Sequence, residues 1–354
     1  MRMLMIGSGF VAPYHLAGWR RLGVEITGIV TKDRARGEVL ARENGTAHVF
    51  DDVETALEAT KPDVVDIASP LEWHVAHIEL AAHARAAILC QKPLAPTLAE
   101  AGRAARAVRQ AGVRLRVHEN FRFRPWYRAA RRVLAAGTIG EAFYLRSDLR
   151  FAGTVSTSLH PDRPYSIARQ PYFAEAPRLL TLDSVIHQID VARFLVGEPD
   201  LVFAQMRRVS DAVRGEDVAS LAMRFGRLHA VIERSYASKG YPDPPVASED
   251  LVVEGTAGTL RVDRDGRVSV HIDGAGGRHV TEIAVERVDA YPASYAATIA
   301  HFHDCIRSGA PFETGLDDNL RTLDAALAAY VSAESGIAVA LPTPDCVALL
   351  AIHH

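Results

Sequence analysis

The apolar run Met3-Leu4-Met5-Ile6 leads directly into Gly7-Ser8-Gly9-Phe10-Val11-Ala12, and a helical stretch, Pro13–Leu22, follows. This is a G-x-G-x-x-A turn between a strand and a helix. Such a turn has to bend tightly, bring bare backbone N–H groups against a pyrophosphate, and let the helix pack close on the strand. Glycine at the first two marked positions and a very small residue at the third meet those demands. The bound phosphates then sit on the positive end of the helix dipole. Gly7, Ser8, Gly9, Phe10 and Val11 are therefore the first candidate cofactor-binding residues. A secretory signal is the competing reading of Arg2 and the apolar run, but Gly7-Ser8-Gly9 and Pro13 interrupt the run too early for a signal core.

A chain of 354 residues that is 48% hydrophobic can bury a large core, and its length favours two domains. The formal net charge of −3 gives no reason to expect nucleic acid as a partner. Arg103, Arg106 and Arg109, and again Arg128, Arg131 and Arg132, fall at helical spacing and read as solvated faces. Cys90, Cys305 and Cys346 are far apart and form no C-x-x-C pair, which suits a reducing compartment and argues against a cysteine zinc site. No stretch approaches the ~20 apolar residues of a membrane span, so the chain reads as soluble and cytoplasmic. Lysine occurs only at positions 32, 61, 92 and 239 among many arginines. Lysine exchanges a proton far more readily than arginine, so each of the four is a candidate for chemistry.

Strand and helix alternate through the first part of the chain. Strands are expected at Met3–Ile6, Val24–Val30, Ala47–Phe50, Val64–Ser69, Ala87–Cys90 and Leu115–His118, with helices between them. Near-continuous apolar strands separated by helices imply a parallel, doubly wound sheet whose ligands bind beyond the carboxyl ends of the strands. Those ends are Gly7–Ala12, Thr31–Asp33, Ser69–Trp73, Gln91–Pro93 and Glu119–Arg124. Near residue 121 the pattern changes to a helix over Pro125–Ala136, a strand over Ala142–Arg150, an irregular segment over Phe151–Pro177 and a helix over Leu182–Val196. Long strands follow at Leu201–Val209, Val218–Phe225, His229–Ala237 and Leu251–Val262, and helices at Tyr291–Ser308 and Asp317–Glu334 close the chain. The expected division is 1–120, a dinucleotide-binding domain, and 121–354, an α+β domain with a large, mainly antiparallel sheet. The terminal His353 and His354 carry no part of this reading. Apolar residues on both faces of strands such as Val218-Ala219-Ser220-Leu221-Ala222-Met223 predict that a second subunit covers the outer face, in a homodimer or homotetramer.

Lys92 ends the fifth strand within Cys90-Gln91-Lys92-Pro93-Leu94, where it faces the ligand crevice or is simply a surface lysine. Asp183, His187 and Asp190 are spaced to line one helix face, as an acid/base centre or as the solvated side of an amphipathic helix. Thr31 stands where a carboxylate for the ribose 2′-hydroxyl is expected, with Lys32 and Arg34 beside it and Asp33 placed to cap the next helix. That pattern leans towards NADP or dual use of NAD and NADP. Arg122 and Arg124, among aromatics in Asn120-Phe121-Arg122-Phe123-Arg124-Pro125-Trp126-Tyr127, could reach a substrate, with helix packing as the other role for the aromatics. No metal site is expected: His301 and His303 point to different sides of a helix, and His74 and His77 have no third ligand nearby. No hydrolase or P-loop pattern is present.

These segments occur in a specific order. After the G-x-G-x-x-A turn come Ser69-Pro70 with His74 beyond, Gln91-Lys92-Pro93, His118-Glu119-Asn120-Phe121-Arg122-Phe123 and Asp183-x-x-x-His187-x-x-Asp190. Gly215-Glu216-Asp217 and Glu254-Gly255-Thr256-x-Gly258-Thr259 follow. Over nearly its whole length the chain resembles the glucose–fructose oxidoreductase / inositol dehydrogenase / rhizopine catabolism (Gfo/Idh/MocA) family of nicotinamide-dependent sugar and polyol dehydrogenases. The resemblance implies a Rossmann domain and an α+β domain whose open sheet is buried in dimer or tetramer contacts. Carried over by position, Lys92, Asp183 and His187 are catalytic and contact substrate, and Ser69, Pro70, His74, Gln91, Lys92 and Asn120 join the turn, Thr31 and Lys32 as cofactor-binding. Two departures stand out. Gln91 replaces the usual glutamate of Glu-Lys-Pro, and Arg178-Leu179-Leu180 lacks the common paired glycines. The implied reaction is hydride transfer between NAD or NADP and a hydroxyl-bearing carbon of a small neutral sugar or polyol, with a sugar acid as the alternative because of Arg122 and Arg124. A catalytically silent cofactor-binding regulator and a cofactor-assisted glycoside-cleaving enzyme are the rival functions.

Overall fold

The computed structural model describes residues 1–46, 48–241, 249–274, 277–286 and 289–352. The chain divides into two compact units, one of Met1–Asn120, Pro292–Leu323 and Pro344–His354, the other of Phe121–Tyr291 and Asp324–Thr343.

The first unit contains β1 (Arg2–Ile6), α1 (Ala12–Arg21), β2 (Glu25–Val30), α2 (Arg34–Glu43), β3 (Val49–Phe50), α3 (Val53–Thr60) and β4 (Val64–Ile67). It continues through α4 (His74–His83), β5 (Ala87–Gln91), α5 (Leu98–Ala111) and β6 (Leu115–His118). The six strands are parallel in the order β3-β2-β1-β4-β5-β6. Order reverses on either side of β1, which makes the end of β1 the switch point where ligands of such sheets bind. The expected strand at 47–50 begins at Ala47, which lies outside the described residues. Helix starts follow local chemistry: Asp33 accepts from Arg36 N–H, Asp52 from Thr55 N–H, and Thr97 Oγ1 from Glu100 N–H while its hydroxyl donates to the Glu100 carboxylate. These carboxylates and hydroxyls take up N–H groups that a helix start leaves unpaired.

The second unit contains α6 (Pro125–Ala135), β7 (Ala142–Arg150), α7 (Tyr165–Arg169), α8 (Ile186–Val196), β8 (Leu201–Arg207), β9 (Val218–Phe225) and β10 (Leu228–Ser235). Then come β11 (Asp250–Gly255), β12 (Gly258–Val262), β13 (Val268–Gly274) and β14 (Gly277–Ile283). The chain ends with α9 (Ala290–Ser308), α10 (Leu316–Ser335), β15 (Val339–Ala340) and α11 (Pro344–Leu350). The nine-stranded sheet runs β14-β13-β12-β11-β7-β10-β9-β8-β15, antiparallel except where β7 meets β10. Helices α6 and α8 pack on one face of it.

The structure departs from the sequence reading at several points. The division 1–120 and 121–354 is too simple, because most of α9, the start of α10 and all of α11 belong to the first unit. Ile299 and Phe302 of α9 enter the core built on Met3, Met5, Leu16 and Trp19, and a Cβ on Gly18 would meet Ile299 Cδ1 at 2.6 Å. The segment 251–262 is a tight hairpin, β11 and β12, turning at Thr256-Ala257. Gly255 and Gly258 lie flush on neighbouring backbone there: added Cβ atoms would meet Ile139 O at 2.2 Å and His271 O at 2.6 Å. The helix at 182–196 begins with a π turn over Thr181–Val185.

Asp183, His187 and Asp190 are not the solvated stripe of an amphipathic helix. Every residue from Ile186 to Arg193 is buried, and Asp190, fully buried, takes the Arg122 guanidinium in a two-bond fork of 2.7 and 2.5 Å. The outer face of the large sheet is also less apolar than expected. One register row across it reads Phe203, Ala222, Val231, Arg146, Val252, Arg261, Ser269. Asp148, Arg150, Glu233 and Arg264 form ion pairs alongside. Among the described residues, no helix is long and apolar enough to cross a membrane.

Removing one member of the buried Arg122–Asp190 pair takes a charge-assisted, two-bond partner from the other, whereas replacing both by apolar groups removes the buried charges together. Asp190→Ala is therefore expected to lower unfolding stability by about 3–5 kcal/mol in denaturant titrations. The double variant Arg122→Met/Asp190→Leu should lose distinctly less.

Candidate active site

In the first unit the candidate residues gather at the carboxyl ends of the parallel strands. Gly7 adopts φ +114°, and a Cβ there would meet Ala68 O at 2.4 Å, so only glycine lets β1 end against β4. Gly9 differs: a Cβ there would meet nothing within 4 Å, and the residue faces open space. Helix α1 begins at Ala12, fully buried, and its start has no side-chain cap. An open glycine backbone ahead of an uncapped, positive helix end fits a pyrophosphate. These residues can hold a dinucleotide.

At the end of β2, Thr31 Oγ1 lies 2.7 Å from Ser8 Oγ and accepts from Asp33 N–H. Asp33 is spent on capping α2, and Lys32 Nζ donates to Asp51 O at 2.7 Å. At the end of β4, Ser69 Oγ lies 2.9 Å from His77 Nδ1. Burial and the neighbouring His74 push His77 down to about 4, so it is neutral near pH 7. His74 is not placed to touch a cofactor. It is 1% exposed, with Nδ1 2.8 Å from Pro93 O and Nε2 3.0 Å from Ser69 O, and the neutral ring donates to one of these carbonyls at a time. Burial lowers its pKa, against the pull of both carbonyls in the other direction. Pro70 is exposed beside it.

Lys92 leaves β5 half-buried, and its peptide to Pro93 is cis. Gln91, 8% exposed, accepts from Lys92 N–H at 2.8 Å and reaches His15 at 3.2 Å. Cys90 beneath it is buried, which holds its thiol well above the ordinary range and removes it as a nucleophile. Asn120, expected at the cofactor, is 2% exposed and donates to Ser294 Oγ of α9 at 2.7 Å. Its amide ties β6 to that helix.

In the second unit Asp183 sits in the π turn and accepts from Tyr172 O–H at 2.8 Å. Tyr172 leaves 54% of its surface exposed, yet desolvation and the Asp183 carboxylate push its phenol well above the usual range. Burial, with Asp183 next, also raises Tyr236. The approach to the π turn has no glycine pair. Instead Glu216 accepts from Leu179 N–H, Thr181 N–H and Tyr330 O–H at 3.1, 2.8 and 2.6 Å. Its neighbour Asp217 accepts from Val209 and Ser210 N–H and Thr154 O–H. The Gly215-Glu216-Asp217 motif thus holds the loop that presents Asp183.

His187 is 7% exposed, and its ring stacks on Phe121 with centroids 3.8 Å apart and planes 2° from parallel. Arg124 lies over the same Phe121 ring, 3.5 Å from its centroid, and faces Glu249 at 4.0 Å. Burial raises the Glu249 carboxyl, but Arg234 and Arg124 outweigh it and hold the group below its usual range. Neither Arg122 nor Arg124 is a free substrate clamp. Both are about 95% buried, the first committed to Asp190 and the second to Phe121 and Glu249. Sequence reasoning missed Tyr172, Tyr236 and Glu249, which belong to none of the motifs. Only Pro171-Tyr172-Phe173 within the irregular segment offered a cue.

Residues 1–119 match the family model described as "Oxidoreductase family, NAD-binding Rossmann fold", and residues 127–261 match the GFO/IDH/MocA C-terminal domain. The chain is 36% identical to a D-apiose dehydrogenase of Paraburkholderia graminis, over 95% of this chain and 88% of that protein. It is 31% identical to a D-apiose dehydrogenase of Rhizobium rhizogenes, over 94% and 95%. A crystal structure of an oxidoreductase from Agrobacterium radiobacter, in complex with NAD+, L-tartaric acid and magnesium, superposes with a TM-score of 0.86 at 30% identity, covering 96% of this chain and 98% of that one. With both of its domains matched, the chain belongs to the Gfo/Idh/MocA family of NAD-binding oxidoreductases.

Proposed function

We propose that the protein is a dehydrogenase that oxidises a hydroxyl-bearing carbon of a small neutral sugar or polyol. The observation that carries this reading is the pairing of an open glycine turn at the end of β1 with an ionisable lysine at the end of β5 in a family of NAD-binding oxidoreductases. The nicotinamide, when bound, accepts the hydride. Gly7, Ser8, Gly9, Phe10 and Val11 bind the dinucleotide through backbone N–H groups, with Ser69, Gln91 and Lys92 at the neighbouring strand ends. Lys92 Nζ hydrogen-bonds the substrate oxygen as negative charge develops on it. His187 takes the hydroxyl proton at a ring nitrogen, and Asp183, with Tyr172 on its carboxylate, orients the substrate.

A neutral substrate is favoured over a sugar acid because Arg122 and Arg124 are already engaged by Asp190, Phe121 and Glu249. The two D-apiose dehydrogenases make D-apiose the first compound to try. The L-tartaric acid of the Agrobacterium structure supports the sugar acid as a second reading. NADH formation over free aldoses, inositols, glycosides and tartrate decides between them. Turnover of neutral compounds is expected, and activity confined to acids overturns the reading. With the best substrate, Lys92→Ala and His187→Ala should each lower kcat by roughly 10²–10⁴-fold while NAD+ affinity stays near normal. Parent-like turnover in either variant removes that residue from its role.

NADP+ should serve beside NAD+. Thr31 offers a hydroxyl where a carboxylate would repel a 2′-phosphate, and Asp33 is occupied at its helix cap. Fluorescence titration should give dissociation constants within about tenfold of each other; a preference for NAD+ beyond about 100-fold, some 2.8 kcal/mol, contradicts this.

We further infer that a second copy of the chain covers the outer face of the large sheet, on the row Phe203, Ala222 and Val231. A homodimer or homotetramer is expected in sedimentation at micromolar concentration. A monomer would rule this out, and Ala222→Arg should weaken the assembly.

A further inference from the structure

A buried chain of hydrogen bonds runs from β4 through α1 to the backbone of Lys92. Lys92 N–H lies 2.8 Å from Gln91 Oε1, and a backbone amide only donates, so the Gln91 oxygen is fixed on that side. The nitrogen of the same amide then faces His15 Nε2 at 3.2 Å. Amide nitrogen also only donates, so His15 Nε2 accepts and the ring proton sits on Nδ1. Nδ1–H meets the Asp66 carboxylate at 2.9 and 3.0 Å, and Trp19 Nε1–H donates to that carboxylate at 2.6 Å. Asp66, His15 and Trp19 have no exposed surface, and Gln91 has 8%. The rings of His118 and Tyr295 flank His15, with centroids 4.2 and 5.3 Å away.

We propose that Asp66, His15 and Gln91 are positioning residues for Lys92, an inference that rests on the role given to Lys92 above. Each bond in the chain has one possible direction once Lys92 N–H is placed. The amide of Gln91 therefore has one rotamer, and the peptide that carries Lys92 out of the sheet has one plane. The two ends are also complementary. His15 needs an acceptor on Nδ1 and a donor on Nε2, which Asp66 and Gln91 supply. A carboxylate on both sides, or an amide on both, breaks the pattern. The charge that a glutamate would bring at position 91 is thus supplied from the other side of the imidazole.

Gln91→Glu tests this with almost no change of shape. It puts a carboxylate on both sides of His15, which then takes a second proton. Nitrogen-15 spectra of histidine-labelled full-length protein, with His15 assigned by His15→Gln, should show one protonated ring nitrogen in the parent and two in the variant. Turnover should fall by roughly 10–100-fold, the scale seen when groups orienting a metal-bound histidine are changed. The double variant Asp66→Asn/Gln91→Glu reverses every bond except the two donations from Lys92 N–H and Trp19 Nε1–H. His15 should then carry its proton on Nε2, and turnover should recover to within about threefold of the parent.

A parent His15 with both nitrogens protonated overturns the proposal. So does a Gln91→Glu protein of unchanged turnover, or a double variant no better than Gln91→Glu alone. Should Gln91→Glu fail to fold, Asp66→Asn alone, read by the same spectra and kinetics, must also lose turnover. Lys92→Ala separates the two ideas: parent-like activity there removes the role of Lys92, whereas the spectra still report the direction of the chain.

Discussion

The close approach of Gly7 to the Ala68–Ser69 peptide is the constraint on which the first unit depends. A methyl group there would lie 2.4 Å from Ala68 O, and the backbone is at φ +114°. Any other residue would force β1 away from β4 just where strand order reverses. The neighbouring strand ends are laced to this point. Ser8 reaches Thr31 after β2, His74 joins the Ser69 and Pro93 carbonyls after β4 and β5, and Asp66, His15 and Gln91 link the interior of β4 to the end of β5. The carboxyl ends of β1, β2, β4 and β5 are thereby tied to one another by side chains.

The second unit uses carboxylates for two opposite purposes on one helical segment. Asp190 is buried against the Arg122 guanidinium, with Arg193 4.0 Å from the same carboxylate. Asp183, seven residues earlier, sits in a π turn, partly exposed, with a phenol as its partner. A π turn shifts side chains out of the α-helical register and is frequent at functional sites. Here the buried Asp190 and the partly exposed Asp183 fall on different turns of the segment, and Glu216 pins the π turn by its backbone N–H groups.

What the sequence made legible was local or periodic. The β1 turn, the parallel strands and the helix caps follow from short-range patterns, and so did the placement of Lys92 at a strand end. The unforeseen features depend on partners remote in the chain. Arg122 looked like a substrate ligand until Asp190, 68 residues on, claimed it. Asn120 is answered by Ser294, 174 residues away. The return of α9 to the first unit depends on Ile299 fitting the gap at Gly18. The hairpin at 255–258 follows from close contacts with Ile139 and His271 rather than from a common turn pair. Strand β14 is exposed along nearly its whole length, so it carries no alternation to read.

The aromatic cluster beside His187 gives Arg124 a different task from the one its charge suggests. A guanidinium centred 3.5 Å over the Phe121 ring and an imidazole stacked 3.8 Å from it cannot share a face, so the two take opposite sides. Glu249, with Tyr127 and Arg234 also bound to it, keeps the guanidinium in place. Phe121 is held flat, and the imidazole lying on it keeps its plane. The nitrogens of the His187 ring lie on its edge, in a plane parallel to the Phe121 ring. Arg124 thus holds the Phe121–His187 stack from the face opposite the imidazole, while its own charge is met by Glu249. This arrangement is consistent with a substrate that brings no charge of its own.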